Sequence, residues 1–124
     1  MDVIRRDEAR RTTTPNAVMT TFASPTQGGA GHAIWRVDMA PGQAGPLHTF
    51  AVEQIYTVLD GAVTVEAGDI RTRLGAGDTV VLRGGEPRRF VADPDTGVAA
   101  IVAGAPDRAV LPDGTDRGIP AWMA

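Results

Sequence analysis

Imidazole and thiol groups, which often act as bases, nucleophiles or metal ligands, are scarce in this sequence. The chain has 2 histidines, His32 and His48, and no cysteine. Without thiolates, a metal ion would have to be held by imidazole, carboxylate or water. Arg88 and Arg89 are adjacent, so within a strand only one of these two guanidinium groups can face a binding site. His32 is expected to be exposed and without a role, which leaves His48 as the only imidazole that could act in a functional site.

Glycine and proline divide the sequence into short apolar runs, which is typical of an all-β protein. The 15 glycines and 9 prolines leave runs that are too short for ordinary helices. We expect turns at Pro41-Gly42, Asp60-Gly61, Gly75-Ala76-Gly77 and Gly84-Gly85. The predicted strands are Ala17–Phe22, Ala33–Met39, Gln54–Leu59, Ala62–Glu66, Ile70–Leu74, Thr79–Leu82, Arg89–Ala92 and Val98–Val102.

The alternation within two of these strands indicates which side chains share a face. Trp35, Val37 and Met39 alternate with charged residues, so their face of the strand is expected to pack in a core. In the strand that begins at Gln54, the side chain of Gln54 shares a face with that of Tyr56. Many short antiparallel strands at this spacing predict a β-sandwich or a jelly roll.

The stretch from residue 41 to residue 61 resembles the first sequence motif of the cupin family. Gly42, His48 and Gly61 are the residues that this motif expects. Phe50 stands where the motif has a second histidine, and Gln54 stands where it has a glutamate. The resemblance implies the double-stranded β-helix of the cupins, a jelly-roll barrel, as a single domain.

A second cupin motif is matched in its glycines but not in its functional positions. Gly77 and Gly85 fall where the motif has glycine, whereas Arg83 takes its proline position. Arg88 takes the histidine position and Ala92 the asparagine position. The chain is therefore identified as a small single-domain cupin whose metal-binding motif is degenerate.

The altered positions argue against a bound metal ion. In the family, three histidines and one glutamate hold a divalent ion, and of these four positions only His48 keeps a competent ligand. Phe50 has no lone pair, Gln54 offers a neutral carbonyl, and Arg88 is a permanent cation that repels a metal ion. We expect no cofactor. The alternative is a weakly held divalent metal on His48 together with Gln54, or with Glu53 if a β-bulge turns that carboxylate inward.

The family geometry implies a cavity in which His48, Tyr56 and Arg88 are the catalytic candidates. A cation beside His48 favours its neutral form, which a general base requires. Tyr56 is expected to donate a hydrogen bond to a developing oxyanion, and Arg88 to bind a carboxylate or enolate. The side chains expected to bind the substrate are Trp35, Phe50, Gln54, Arg88 and Phe90.

The first functional hypothesis is metal-independent acid–base chemistry on a small anionic or aromatic metabolite, of isomerase, cyclase or lyase type. Polyketide cyclases are one group within the family. Because the fold alone does not determine activity, two alternatives stay open. One is a non-catalytic cupin that serves as a sensor or carrier of a small molecule. The other is a metal-dependent cupin enzyme with an atypical ligand set.

Each candidate residue also has a purely structural explanation. His48 would then only cap a neighbouring carbonyl group. Arg88 would pair with Glu53 or Glu86 at the rim, where ion pairs contribute little. Tyr56 and the aromatic residues near it would simply fill the core.

The predicted organisation is an N-terminal arm with an edge strand (residues 1–31), a barrel (32–105) and a C-terminal tail (106–124). Trp122 in the tail is expected to pack on the barrel or on a partner subunit. Cupins of this length usually pair, so the resemblance implies a homodimer with contacts through Met1–Gly31 and Trp122.

Composition and charge bear on the remaining partners. The 12 basic and 15 acidic residues leave a net charge of −3, and no basic cluster is interleaved with aromatic residues, so nucleic acid is not expected. The charged start of the chain lacks the apolar segment of a secretion signal or membrane span. We expect a small-molecule ligand, no membrane partner and a cytoplasmic location.

Overall fold

The structure, a computed structural model, describes residues Met1 to Ala124 and confirms the all-β prediction. Apart from one short 3-10 turn, Arg6–Glu8, its regular elements are strands. No helix has the length and apolar character needed to span a membrane. The strands are β1 (Arg10–Thr13), β2 (Val18–Ala23), β3 (Ala33–Met39), β4 (Gln54–Ala67), β5 (Ile70–Gly75), β6 (Thr79–Leu82), β7 (Arg88–Ala92) and β8 (Val98–Gly104).

Strand β4 belongs to both layers of the jelly roll and joins them. Its first half lies between β8 and β6 in a sheet that continues from β8 through β3 and β2 to β1. Its second half lies between β5 and β7 in the other layer. All of these pairings are antiparallel. The predicted jelly-roll barrel is thus confirmed.

The turn predicted at Asp60-Gly61 is wrong, because β4 runs through both residues. The pairing of β4 with β8 shifts register between Val58 and Asp60, and Gly61 has a φ of +71°. A Cβ atom on Gly61 would collide with the backbone carbonyl of Gly97. Glycine therefore permits a β-bulge that redirects the strand from one layer into the other. The two strands predicted on either side of this position are a single strand.

The N-terminal segment contributes two strands rather than the single predicted edge strand. β2 pairs with β3 over most of its length, so it is an interior strand of the sheet, and β1 is the edge. The alternation rule misses β1 because Arg10-Arg11-Thr12-Thr13 carries no apolar side chain. A polar strand of this kind protects a sheet edge against pairing with another chain.

The predicted inward faces of β3 and β4 are confirmed. Trp35, Val37 and Met39 are buried, whereas Ile34, on the opposite face of β3, is 37% exposed. In β4 the inward side chains include Gln54 and Tyr56, at 3% and 2% exposed. These two strands therefore direct aromatic, apolar and polar side chains together into the interior of the barrel.

Candidate functional site

A cavity of about 480 Å³ lies inside the barrel and has the character of a small-molecule site. We call it the barrel cavity. Its walls are mostly apolar, and among its polar lining groups are His48, Gln54 and the hydroxyl-bearing Tyr56. The aromatic and apolar side chains that define its inner walls are Trp35, Val37, Met39, Phe50 and Phe90.

The C-terminal tail completes the wall of the barrel cavity. Trp122 lines the cavity, and its backbone carbonyl accepts a hydrogen bond of 2.9 Å from the Thr21 hydroxyl of β2. Met123 is fully buried in the core. Of the two predicted locations for Trp122, this structure places it on the barrel of its own chain. Asn16 lines the cavity from the N-terminal side.

His48 is placed on the cavity wall by its pairing with Arg88. The two residues exchange backbone hydrogen bonds of 3.0 and 2.9 Å, so their side chains leave the backbone on the same side. The Nδ1 atom of His48 lies 2.8 Å from the carbonyl oxygen of Pro46. Because a carbonyl only accepts, Nδ1 carries the proton and Nε2 keeps its lone pair. The predicted carbonyl-capping role and a base at Nε2 are therefore compatible.

The surroundings of His48 keep the imidazole neutral. Burial lowers the pKa of His48 below its ordinary value of 6.5, and the positive charge of Arg88 lowers it further. The hydrogen bond to Pro46 opposes both effects but does not reverse them. The sequence reasoning assigned this shift to the cation alone, whereas desolvation is the larger cause.

Tyr56 and Gln54 supply buried hydrogen-bonding groups without protein partners. The hydroxyl of Tyr56 and the Nε2 atom of Gln54 are both buried and make no hydrogen bond within the protein. Burial raises the pKa of Tyr56 well above its ordinary value, so the hydroxyl keeps its proton. The Tyr56 ring stacks on Phe90 with centroids 4.7 Å apart and an angle of 14°. Both groups can donate a hydrogen bond to an oxygen atom inside the cavity.

Arg88 points inward but does not line the barrel cavity. Its side chain is 0% exposed, and the centre of its guanidinium lies 5.7 Å from the centroid of the Phe50 ring, which does line the cavity. Nη2 donates a 2.8 Å hydrogen bond to the carbonyl of Arg83, while Nε and Nη1 have no partner. Pairing of Arg88 with Glu53 at the rim is wrong, since Glu53 pairs with Arg83 at 2.7 Å. Glu86 forms no ion pair with Arg88, but its charge opposes the lowering of the Arg88 pKa by burial.

Comparison with known proteins identifies the family. A model of the cupin domain matches residues 35–104, more than half of the chain. The chain belongs to the cupin family. This confirms the resemblance that the two degenerate motifs indicate. A search of curated protein sequences found no match.

Solved structures similar to this cupin share its fold at low sequence identity. The polyketide cyclase RemF from Streptomyces resistomycificus matches with a TM-score of 0.72 and 20% identity, over 85% of this chain and 79% of RemF. KdgF from Halomonas sp. matches with a TM-score of 0.71 and 21% identity, over 84% of this chain and 94% of KdgF. Oxalate decarboxylase from Bacillus subtilis matches with a TM-score of 0.72 and 14% identity, and this chain spans 27% of that protein.

The side chains of this cupin do not fit the metal site that its fold implies. No three His, Cys, Asp or Glu side chains lie close enough together to hold an ion. The alternative that used Glu53 is wrong, because an ion pair with Arg83 holds the half-exposed Glu53 carboxylate outside the barrel. His32 is exposed, as expected. Of the alternative ligands, only His48 and Gln54 face the cavity.

Arg117 is a cation of the barrel cavity that sequence reasoning missed. It is exposed, lines the cavity, and forms no ion pair or side-chain hydrogen bond. Backbone hydrogen bonds between Arg117 and Ala109 and between Ala109 and Gly118 fold the tail back on itself and position it. Nothing in the local sequence indicates this location, because it depends on contacts between the tail and the barrel.

The lowered pKa of His48 predicts that this cupin loses stability as the pH falls. The unfolded chain binds a proton at His48 near pH 6.5, whereas the folded chain does so only at lower pH. The free energy of unfolding should therefore decline from about pH 6.5 downward until the folded-state pKa is passed. Urea unfolding between pH 7.5 and 5 should show a shallower decline in His48→Gln than in wild type. The matched control is His32→Gln, and equal declines in all three proteins would contradict the prediction.

Proposed function

We propose that this cupin binds a small anionic or aromatic metabolite in the barrel cavity and catalyses metal-independent proton transfer on it. The reaction would be of isomerase, cyclase or lyase type. The observation that carries the proposal is the state of His48, whose Nδ1 proton is engaged by Pro46 while Nε2 remains a neutral base on the cavity wall. A general base working near pH 7 needs this combination of geometry and pKa.

The unpartnered buried groups support an oxygen-bearing ligand. The buried atoms without partners include Gln54 Nε2, Tyr56 Oη and two nitrogens of Arg88. Each of these atoms carries a hydrogen that it can donate, and leaving a buried donor unpaired costs about 1–3 kcal/mol. A carboxylate or enolate supplies the missing acceptors, and an aromatic ring fits against Trp35 and Phe90.

The proposed proton transfer assigns one role to each side chain. Nε2 of His48 removes a proton from the carbon next to a ligand carbonyl, and the C–H electron pair becomes a C=C bond. The carbonyl oxygen becomes an enolate oxygen, and the Tyr56 hydroxyl donates a hydrogen bond to it. Return of the proton to a different carbon gives an isomer, and expulsion of a β-substituent gives an elimination. RemF, which shares this fold, is a polyketide cyclase, and cyclisation is one of the reaction types proposed here.

Phenylpyruvate is a suitable probe because it combines a carboxylate, an aromatic ring and a methylene group next to a ketone. Wild-type protein in D₂O should accelerate the exchange of the methylene protons for deuterium, which loss of the methylene signal in proton NMR measures. Chemical-shift changes in the protein should be confined to residues of the barrel cavity. Added EDTA should leave the exchange rate unchanged.

Three other results would redirect the proposal. Binding in the cavity without accelerated exchange would favour the sensor or carrier. Exchange that EDTA abolishes would favour the alternative of a metal-dependent enzyme. Absence of binding would overturn the proposed ligand class. The homodimer, the cytoplasmic location and the lack of nucleic-acid partners stay predictions from the sequence.

A further inference from the structure

Arg88 is a buried cation that forms no ion pair, although the charge of Glu86 acts on it from beyond ion-pair distance. No carboxylate lies within ion-pair distance of its guanidinium, and only Nη2 has a hydrogen-bond acceptor, the carbonyl of Arg83. Removing an ion from water costs several kcal/mol unless a partner compensates for it. The two unpartnered nitrogens of Arg88, Nε and Nη1, are therefore available to an anionic group that enters the barrel.

Phe50 separates this cation from the barrel cavity. Its ring is 4% exposed, forms part of the cavity lining, and has the Arg88 guanidinium 5.7 Å from its centroid. The edge of the same ring meets the imidazole of His48, with centroids 5.3 Å apart and an angle of 86°. Phe50 therefore touches both the proposed base and the unpaired cation.

Phe50 lies outside the regular strands and next to open space in the barrel cavity. Phe50 lies in the irregular segment between β3 and β4, where its backbone is held by a 2.7 Å hydrogen bond from Gly85 to its carbonyl. The adjoining cavity of about 480 Å³ offers space for another side-chain rotamer. In that rotamer the ring would still contact apolar walls, so little burial of apolar surface is lost.

We propose that Phe50 is a gate and Arg88 a latent anion subsite, so that the carboxylate of a ligand displaces the Phe50 ring and pairs with the guanidinium. The inference rests on the proposed function, because it assigns the recognition of the anionic group within the same site. It makes Arg88 and Phe50 specificity-determining residues. A neutral ligand of the same shape gains nothing from opening the gate and remains in the outer part of the cavity.

The test compares benzoate with benzamide, which has nearly the same shape but no charge, by calorimetric titration. Wild-type protein should bind benzoate about 10- to 100-fold more tightly, as expected for a hydrogen-bonded charge pair. Arg88→Met should remove this preference and leave benzamide affinity unchanged. Phe50→Ala should retain the preference and speed benzoate association about tenfold, because the closed state no longer competes. Arg89→Met is the matched control for lost charge, since Arg89 is exposed on the opposite face.

Arg117→Met separates attraction at the cavity mouth from pairing with Arg88. It should slow benzoate association while leaving most of the benzoate preference in place. Equal affinities of benzoate and benzamide in wild type, or an unchanged preference in Arg88→Met, would overturn the gate and leave the proposed function standing. If neither compound nor phenylpyruvate binds, both proposals fail.

Discussion

His48→Ala should lower the rate of deuterium exchange into phenylpyruvate by about 10²- to 10⁴-fold, the usual contribution of a positioned general base. Nε2 carries the only imidazole lone pair among the residues that line the barrel cavity, and the hydrogen bond from Nδ1 to Pro46 holds the ring in the required tautomer. Alanine removes the base without adding bulk or charge. The affinity for phenylpyruvate should therefore change much less than the rate.

Separate measurement of rate and affinity distinguishes a base from a wall residue. Loss of binding with an unchanged rate at saturation would assign His48 to ligand contact only. His32→Ala is the matched control, because His32 is exposed and lies outside the cavity. An exchange rate in His48→Ala equal to that of wild type would remove the proposed mechanism.

The alternation of apolar and polar residues was sufficient to predict which side chains enter the barrel. The inward face of β3 carries Trp35, Val37 and Met39, and that of β4 carries Gln54 and Tyr56, as expected. Strand geometry imposes this period of two wherever one face is buried. The spacing of the glycines aligned the sequence with the two cupin motifs. That alignment predicted that His48 and Arg88 lie close together, and they are paired in the structure.

Contacts between distant segments were not predictable in this way. β1 carries only arginine and threonine, and its strand conformation depends on pairing with β2. Arg117 and Trp122 reach the cavity because the tail folds over the barrel, and no local pattern encodes that path. The alternation pattern also does not predict how deeply a side chain is buried. It places Arg88 on an inward face, but it does not show that Arg88 lies behind Phe50 and not on the cavity wall.

The substituted positions change the charge that the interior can accept. Histidines and a glutamate present lone pairs to a cation, whereas arginine, phenylalanine and glutamine present donors and a ring. In the structure two nitrogens of Arg88 and the amide nitrogen of Gln54 have no protein partner, and burial lowers the pKa of His48. We therefore expect the interior to favour a negatively charged ligand. This is a consequence of side-chain identity at positions that the fold preserves.

Arg88→Met should stabilise the folded protein by up to about 4 kcal/mol, because replacing buried ion pairs with apolar residues of similar volume is neutral or stabilising by that amount. The variant loses one hydrogen bond to Arg83, worth about 1 kcal/mol, and a desolvated cation–π contact with Phe50, worth about 2 kcal/mol. It regains the several kcal/mol that burial of an unpaired guanidinium costs. Urea unfolding at pH 7.5, where His48 is neutral in both proteins, measures the difference.

Arg89→Met is the control for this measurement, because its exposed side chain should change the free energy of unfolding by no more than about 0.5 kcal/mol. Benzoate should also raise the stability of wild type and have a much smaller effect on Arg88→Met, since a ligand stabilises only the state that binds it. A variant that is less stable than wild type would mean that the guanidinium is well solvated or paired in solution. In that case Arg88 would stabilise the fold, and its burial would no longer be an argument for an anionic ligand.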